Sequence, residues 1–330
     1  MQNIKSQILL TSAPMEGLTT FVWRQLHAKY FLGTDRYYLP FVSPTVEPRF
    51  TARQMRELDP KINSGFKAVP QLLTRRSDDF IWASKTLADL GYDEVNLNLG
   101  CPAGTVVAKG KGSGFLRDPY ELESFLHRIF DANLPIDISV KTRLGWCDEK
   151  EFELLADVYS HFPMKSLIIH ARLKTDQYKG EPRRNVFDRY YSRFTMPVGY
   201  NGDVITENDI QNLISLYPQM DQIMVGRSLM ADPALFRKAK GGAEASREEI
   251  QAFSEELFDS YTEAFESRRN AMMRMKEYWF FQLGLFENGL KNAKLIYKAK
   301  TPEEFEEALK PIFDLPLLAQ AERTWFKPLY

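Results

Sequence analysis

The sequence predicts an α/β fold: a closed (β/α)8 barrel followed by a C-terminal helical bundle. Three observations carry this. Short β-rich runs alternate with amphipathic helical stretches through residues 1–240. The runs number eight, the count of a closed parallel barrel. Beyond residue 246 the strand pattern stops and only helical periodicity continues. A doubly wound open sheet is the structural alternative. It fits less well, because PMEG (14–17) rather than a GxGxxG turn follows the first run.

The β-rich runs are 8–13, 37–42, 67–73, 94–98, 137–141, 166–170, 196–200 and 221–225. Stretches such as 77–90 and 206–216 carry helical periodicity between them. A linker is expected at 240–246, where Gly, Ala and Ser cluster. Past it, 247–268, 270–287, 302–311 and 315–325 read as helices. Thr301 and Pro302 are well placed to start the third. The expected division is a catalytic barrel at 1–240 and a helical domain at 246–330.

The 330 residues suffice for a barrel-sized domain and a smaller one. Composition is that of a globular protein, and a net charge of −1 means that any nucleic-acid affinity must come from a local patch. Cys101 and Cys147 form no CxxC or Cys/His cluster, so no metal is expected. Two cysteines suit a reducing cytoplasm. No apolar run is long enough for a membrane span or a signal peptide.

Polar residues fall where barrel chemistry needs them. Pro14, Gln71, Asn98, Lys141, His170 and Asn201 each lie at or just after the C-terminal end of a run, and in a barrel those ends share one face. Cys101 follows a strand directly, and the next segment carries Gly104, Gly110, Gly112 and Gly114, which suggests a flexible loop over a ligand. A free cysteine is mostly thiol at neutral pH, so Cys101 can serve as a general acid or, if activated, a nucleophile. The alternative is a small buried apolar cysteine. Gly202 and Gly226 sit in turns after the last two strands, where such barrels bind phosphate. Arg227 adds a cation there. Lys141 inside a barrel mouth is costly without an anion. His170 is either a ligand contact or a satisfied core histidine.

Seven segments in this order resemble the tRNA-dihydrouridine synthase family: APMEG (13–17), VPQLL (69–73), VNLNLGCP (95–102), VKTRLGW (140–146), IIHAR (168–172), YNGDV (200–204) and MVGRSL (224–229). The resemblance implies an FMN enzyme that reduces a uridine in tRNA to dihydrouridine, with NADPH as transient reductant. It implies that Pro14, Met15 and Glu16 line the flavin, that Gln71 bonds the ring, and that Lys141 sits at its N1/O2 side, with His170 also in the cofactor site. Asn201, Gly202, Asp203, Gly226 and Arg227 would hold the phosphate. Cys101 would be the proton donor and Asn98 would contact the target uracil. Asn96 and Thr74 depart from the family pattern, which more often has Asp and Gly there.

The tail is consistent with RNA. Residues 244–266 are acidic, whereas 268–300 hold eight basic residues against Glu277 and Glu287, with aromatics interleaved. RMKEYW (274–279) resembles a signature of the subgroup acting on uridine 16, which implicates Arg274 and Lys276. Tyr178 falls where that subgroup has an RNA-facing aromatic. A monomer is expected. The rival readings are an FMN barrel acting on a small molecule, similar to dihydroorotate dehydrogenase, and a catalytically inactive RNA-binding barrel.

Overall fold

The structure, a computed structural model, describes residues 8–318. Nine short strands form one parallel sheet: β1 (Leu9–Ser12), β2 (Arg36–Tyr38), β3 (Ala68–Val69), β4 (Gln71–Leu72), β5 (Glu94–Leu99), β6 (Asp137–Arg143), β7 (Leu167–His170), β8 (Val198–Asn201) and β9 (Gln222–Val225). Their order is β3-β2-β1-β9-β8-β7-β6-β5-β4. The two ends of that order, β3 and β4, are separated in the chain by Pro70 alone. β3 pairs with β2 and β4 with β5, so the sheet curls into a nearly closed barrel whose third stave is this interrupted stretch. Proline has no N–H to donate, which breaks the ladder there. Its carbonyl still accepts from Asn96 N at 2.8 Å. All eight β-rich runs of the sequence thus contain a strand, and the ninth arises from that break.

Side-chain alternation sorts the strands into two faces. On β5, Val95, Leu97 and Leu99 join the large apolar core, while Glu94, Asn96 and Asn98 are buried on the opposite face. On β6, Ile138 and Val140 face the core, and Ser139, Lys141 and Arg143 alternate with them. The barrel interior is therefore largely polar. Its apolar part is a small cluster of Ala13, Tyr38, Val69, Ile168 and Met224. Barrels are more often filled by branched aliphatics. A polar interior survives only if its groups bond one another, and here they do.

The outer helices start where local capping dictates. Asp118 accepts from Glu121 N ahead of Pro119–Asp131, and Thr206 forms a capping box with Asp209 ahead of Glu207–Leu216. After Ser246, which caps Arg247–Phe265, come the helices Arg268–Gln282, Ala293–Lys298 and Pro302–Phe313. Glu266 in a left-handed conformation ends the first of these, and Ser267 caps the next. The expected helix at 315–325 is not present over 315–318, where Leu317 instead bridges Phe286. The rest of that range lies outside the described residues. The helical segment packs on Phe21–Tyr30: Phe253 meets Phe31 at 5.0 Å between centroids, and Gln282 donates to Ala231 O at 2.8 Å. One apolar core runs through both parts.

Candidate active site

Cys101 follows β5 at the C-terminal face of the barrel and is half-buried. Asn98 holds the turn that presents it. The Asn98 Oδ1 accepts from Gly100 N at 3.0 Å and from Cys101 N at 2.9 Å. The glycine-rich segment beyond Cys101 differs from a free loop. It folds into a helical turn, Gly104–Val107, and a 3-10 turn, Gly112–Arg117. Ser113 ties it down, donating through both N and Oγ to Cys101 O at 3.1 and 2.9 Å. Gly112 sits at φ +57, and a Cβ there would lie 2.8 Å from Cys101 O. Glycine at 112 thus serves close approach to the cysteine. Burial pushes the Cys101 thiol above its ordinary proton affinity, although Lys141 and Arg143 pull the other way. The group is therefore a protonated thiol at neutral pH.

Across the mouth stands a set of cations. Lys141 on β6 donates to Asn201 Oδ1 on β8 at 2.9 Å. Burial pushes the Lys141 ammonium down to about 7, with Arg143 adding repulsion. Arg143 is almost fully buried and donates to Gly100 O, Leu173 O and Gln177 O, each at 2.8 Å. Arg172 and Arg227 share the Asp203 carboxylate, at 2.7 and 2.6 Å. His170 at the end of β7 is held well below its ordinary value by burial and by Arg143, Lys141, Arg172 and Arg227. It is a neutral imidazole. Asp203 is the carboxylate that touches this group, and Asp176 nearby pairs with Arg183. Two arginines on one carboxylate, with Arg143 and Lys141 close by, leave an excess of positive charge that favours an anion.

The glycines beside those cations let neighbouring side chains approach the backbone closely. A Cβ at Gly202 would lie 2.3 Å from the Tyr200 hydroxyl oxygen, and one at Gly226 would lie 3.1 Å from Met15 Sδ. Met15, at the end of β1, thereby borders the turn after β9. Its N–H donates to Thr19 Oγ1 at 2.9 Å, and Glu16 and Gly17 follow on the rim. Pro14 lies between Ala13 of the inner cluster and Met15. Gln71 is buried on β4, bonded to Asn96 and Asn98. Anionic and planar acceptor groups of a flavin phosphate fit this donor set.

Several expected contacts need correction. Asn201 spends one amide N–H on Met224 O at 2.8 Å and its Oδ1 on Lys141, which leaves one N–H for a phosphate. Its place is to aim Lys141. Asp203, an anion, can offer a phosphate only its backbone N–H; its side chain orients Arg172 and Arg227. Lys276 does not face solvent. Its ammonium donates to the carbonyls of Ala299 and Tyr297, bonds that an RNA phosphate would have to displace. Arg274 pairs with Glu277 and lies against the rim, where a Cβ on Gly17 would come within 2.5 Å of its Nη1. Tyr178 is 46% exposed, with Arg143 and Arg227 each 5.3 Å from its ring centre and His170 at 6.3 Å. It is the exposed aromatic nearest the cations. Sequence reasoning passed over Arg143 and Arg172. Arg143 follows Lys141 by two residues on one face of β6, which was an available signal, whereas Arg172 lies past the end of β7. Among the described residues no cluster could hold a metal, and no helix is long and apolar enough to cross a membrane.

Comparison with known proteins follows the same lines. Residues 11–321 match the family model described as "Dihydrouridine synthase (Dus)". The tRNA-dihydrouridine synthase B of Vibrio cholerae is 27% identical over 69% of this chain and 70% of its own length. A probable tRNA-dihydrouridine synthase of Rhizobium leguminosarum is 27% identical over 79% of this chain and 82% of its own. Among solved structures, a variant of NCR from Zymomonas mobilis superposes with a TM-score of 0.51 at 15% identity, over 72% of this chain and 88% of the other. That likeness concerns the fold alone.

Proposed function

The chain belongs to the dihydrouridine synthase family and forms dihydrouridine in tRNA, and from that premise we propose how its residues do so. The cofactor is FMN, reduced by NADPH. The observation that carries this reading is the group of Lys141, Arg143, Arg172 and Arg227, two of them fully buried, beside a protonated Cys101 thiol at one barrel mouth.

In this reading Gly202 and Gly226 offer backbone to the phosphate, Arg227 and Arg172 neutralise it, and Pro14, Met15 and Glu16 border the flavin. When bound, the flavin supplies the hydride that reduces the uracil C5=C6 bond. Lys141 would stabilise negative charge on the ring edge. Gln71 presents an amide donor to a ring carbonyl. His170 stays neutral, so it adds shape without adding another charge. Cys101 donates its thiol proton to uracil C5, and the raised proton affinity keeps that proton in place until it is needed. A stacked uridine cannot reach this mouth, so the base must be extruded from the folded tRNA. Exposed Tyr178, flanked by two cations, fits a surface on which a base stacks. The helical segment 246–330 serves as the tRNA-binding part of the chain, with Arg274 at its junction with the barrel rim. The target is uridine 16, a choice that rests on Tyr178 and Arg274 and draws nothing from Lys276. The two unpaired cysteines fit a reducing cytoplasm, where the chain works as a monomer.

The test is reduction of unmodified tRNA by the purified flavoprotein, with dihydrouridine mapped by position. Cys101→Ala is expected to retain FMN and to lose turnover by about 100- to 10,000-fold. Wild-type turnover in that variant would remove Cys101 from its role. Turnover on free uracil compounds with none on tRNA would instead indicate a small-molecule enzyme.

A further inference from the structure

The barrel interior contains a hydrogen-bond chain that runs in one direction from the cysteine turn to the barrel floor. Gly100 N and Cys101 N donate to Asn98 Oδ1. Asn98 Nδ2 donates to Gln71 Oε1 at 2.7 Å, and Gln71 Nε2 donates to Asn96 Oδ1 at 2.7 Å. Asn96 Nδ2 donates to Ser139 Oγ at 2.9 Å, and Ser139 Oγ donates to Glu94 Oε1 at 2.7 Å. Glu94 is paired with Arg36 at 3.0 Å. Asn98, Gln71, Asn96, Ser139 and Glu94 are all buried.

Both ends of this chain have a fixed sense. Backbone N–H groups can only donate, and a carboxylate can only accept. The three amides between them then have no freedom to flip, because a flip would set two N–H groups or two oxygens face to face in a buried site. Two consequences follow at the mouth. The Gly100–Cys101 turn is held by an acceptor that is itself held. The Asn98 oxygen accepts twice, so Asn98 can offer a ligand only its second N–H, whereas the Gln71 oxygen accepts once. Asn96, where an aspartate is commoner in the resembling family, fits this logic: an ionised aspartate could not donate onward to Ser139.

We propose that Glu94, Ser139 and Asn96 are positioning residues for the reaction, which act through Gln71 and Asn98 to fix the Cys101 turn. The proposal rests on the functional reading above. Glu94 and Ser139 stand at the far end of the chain and touch neither Cys101 nor any group at the mouth.

The experiment uses the flavin-loaded full chain in a Cys147→Ser background, so that Cys101 is the cysteine that reacts. Ser139→Ala, which removes the hydroxyl with little change in volume, is expected to lower kcat by up to about 100-fold while KM for tRNA stays within about twofold. Alkylation of Cys101 by iodoacetamide is expected to speed up several-fold as the turn loosens. In a Cys101→Ala background the same Ser139→Ala change should cost almost nothing further, because a residue that acts through Cys101 has nothing left to act on. Glu94→Gln is the second variant and should repeat the pattern. Unchanged alkylation, or an equal loss of kcat with and without Cys101, would overturn the proposal. A wild-type protein that forms no dihydrouridine would overturn the functional reading instead, and the alkylation comparison remains interpretable in that case.

Discussion

Lys141 offers the sharpest quantitative prediction. Its ammonium is pushed from an ordinary value of 10.5 down to about 7 by burial, and its acceptor is the neutral Asn201 Oδ1. At about 1.4 kcal/mol per tenfold change in proton affinity, that gap corresponds to roughly 5 kcal/mol. The group's proton affinity is lowered in the folded protein, so the flavin-free protein binds fewer protons than its unfolded chain between pH 7 and 10.5. Its stability should therefore rise with pH across that window. A flavin whose N1/O2 edge accepts from Lys141 reverses the effect by favouring the charged form. At pH 8 the free protein carries about one-tenth of a proton on Lys141 and the loaded protein nearly a full one, so binding FMN should take up about 0.9 proton. Cys101 is a thiol and His170 a neutral ring at that pH, and neither competes in the free protein. Titration calorimetry of flavin-free protein with FMN, in two buffers of different ionisation enthalpy, reads the uptake directly. Lys141→Met should abolish it and weaken binding. A binding enthalpy independent of buffer would refute the assignment of Lys141 to the flavin's ring edge.

Three further outcomes test other parts of the structure. Gly202→Ala places a Cβ 2.3 Å from the hydroxyl of the buried Tyr200 ring; the protein should purify without flavin colour and lose about 1–3 kcal/mol in a urea melt, and a yellow, fully stable variant would contradict the tight turn. His27 bonds Tyr37 at 2.7 Å and Pro233 O at 2.9 Å, and burial pushes it down to about 3. It is buried neutral, so its contribution is intact above pH 6.5 and is lost as pH falls toward 3, by up to about 5 kcal/mol. His27→Gln should flatten the acid limb of the stability profile, and parallel limbs would refute the assignment. Lys276→Met should lower stability by about 1–3 kcal/mol through the orphaned carbonyls of Ala299 and Tyr297 and leave KM for tRNA unchanged; a tenfold rise in KM would restore it as an RNA contact.

The local patterns were legible in the sequence. Alternating strand and helix periodicity located all eight staves, and Thr301 with Pro302 marked one helix start, because both signals act over a few residues. The position of Cys101 at a strand end followed from the same register. What the sequence could not settle was which buried polar groups meet. Gln71 reaches Asn96 across 25 residues, Lys141 reaches Asn201 across 60, and Arg172 reaches Asp203 across 31. Such pairs depend on the stagger of neighbouring strands and on barrel closure, which no local period encodes. The same holds for Lys276, basic by sequence yet turned inward onto carbonyls from a later turn. The tail also illustrates it in the other direction: a helical pattern at 315–318 yields to a bridge with Phe286. Sequence alone therefore determined the barrel, the helical tail and the residues at the mouth. The tertiary structure decided their partners, their charge states and the polarity of the chain beneath Cys101, because burial and strand register set the energy of each polar group.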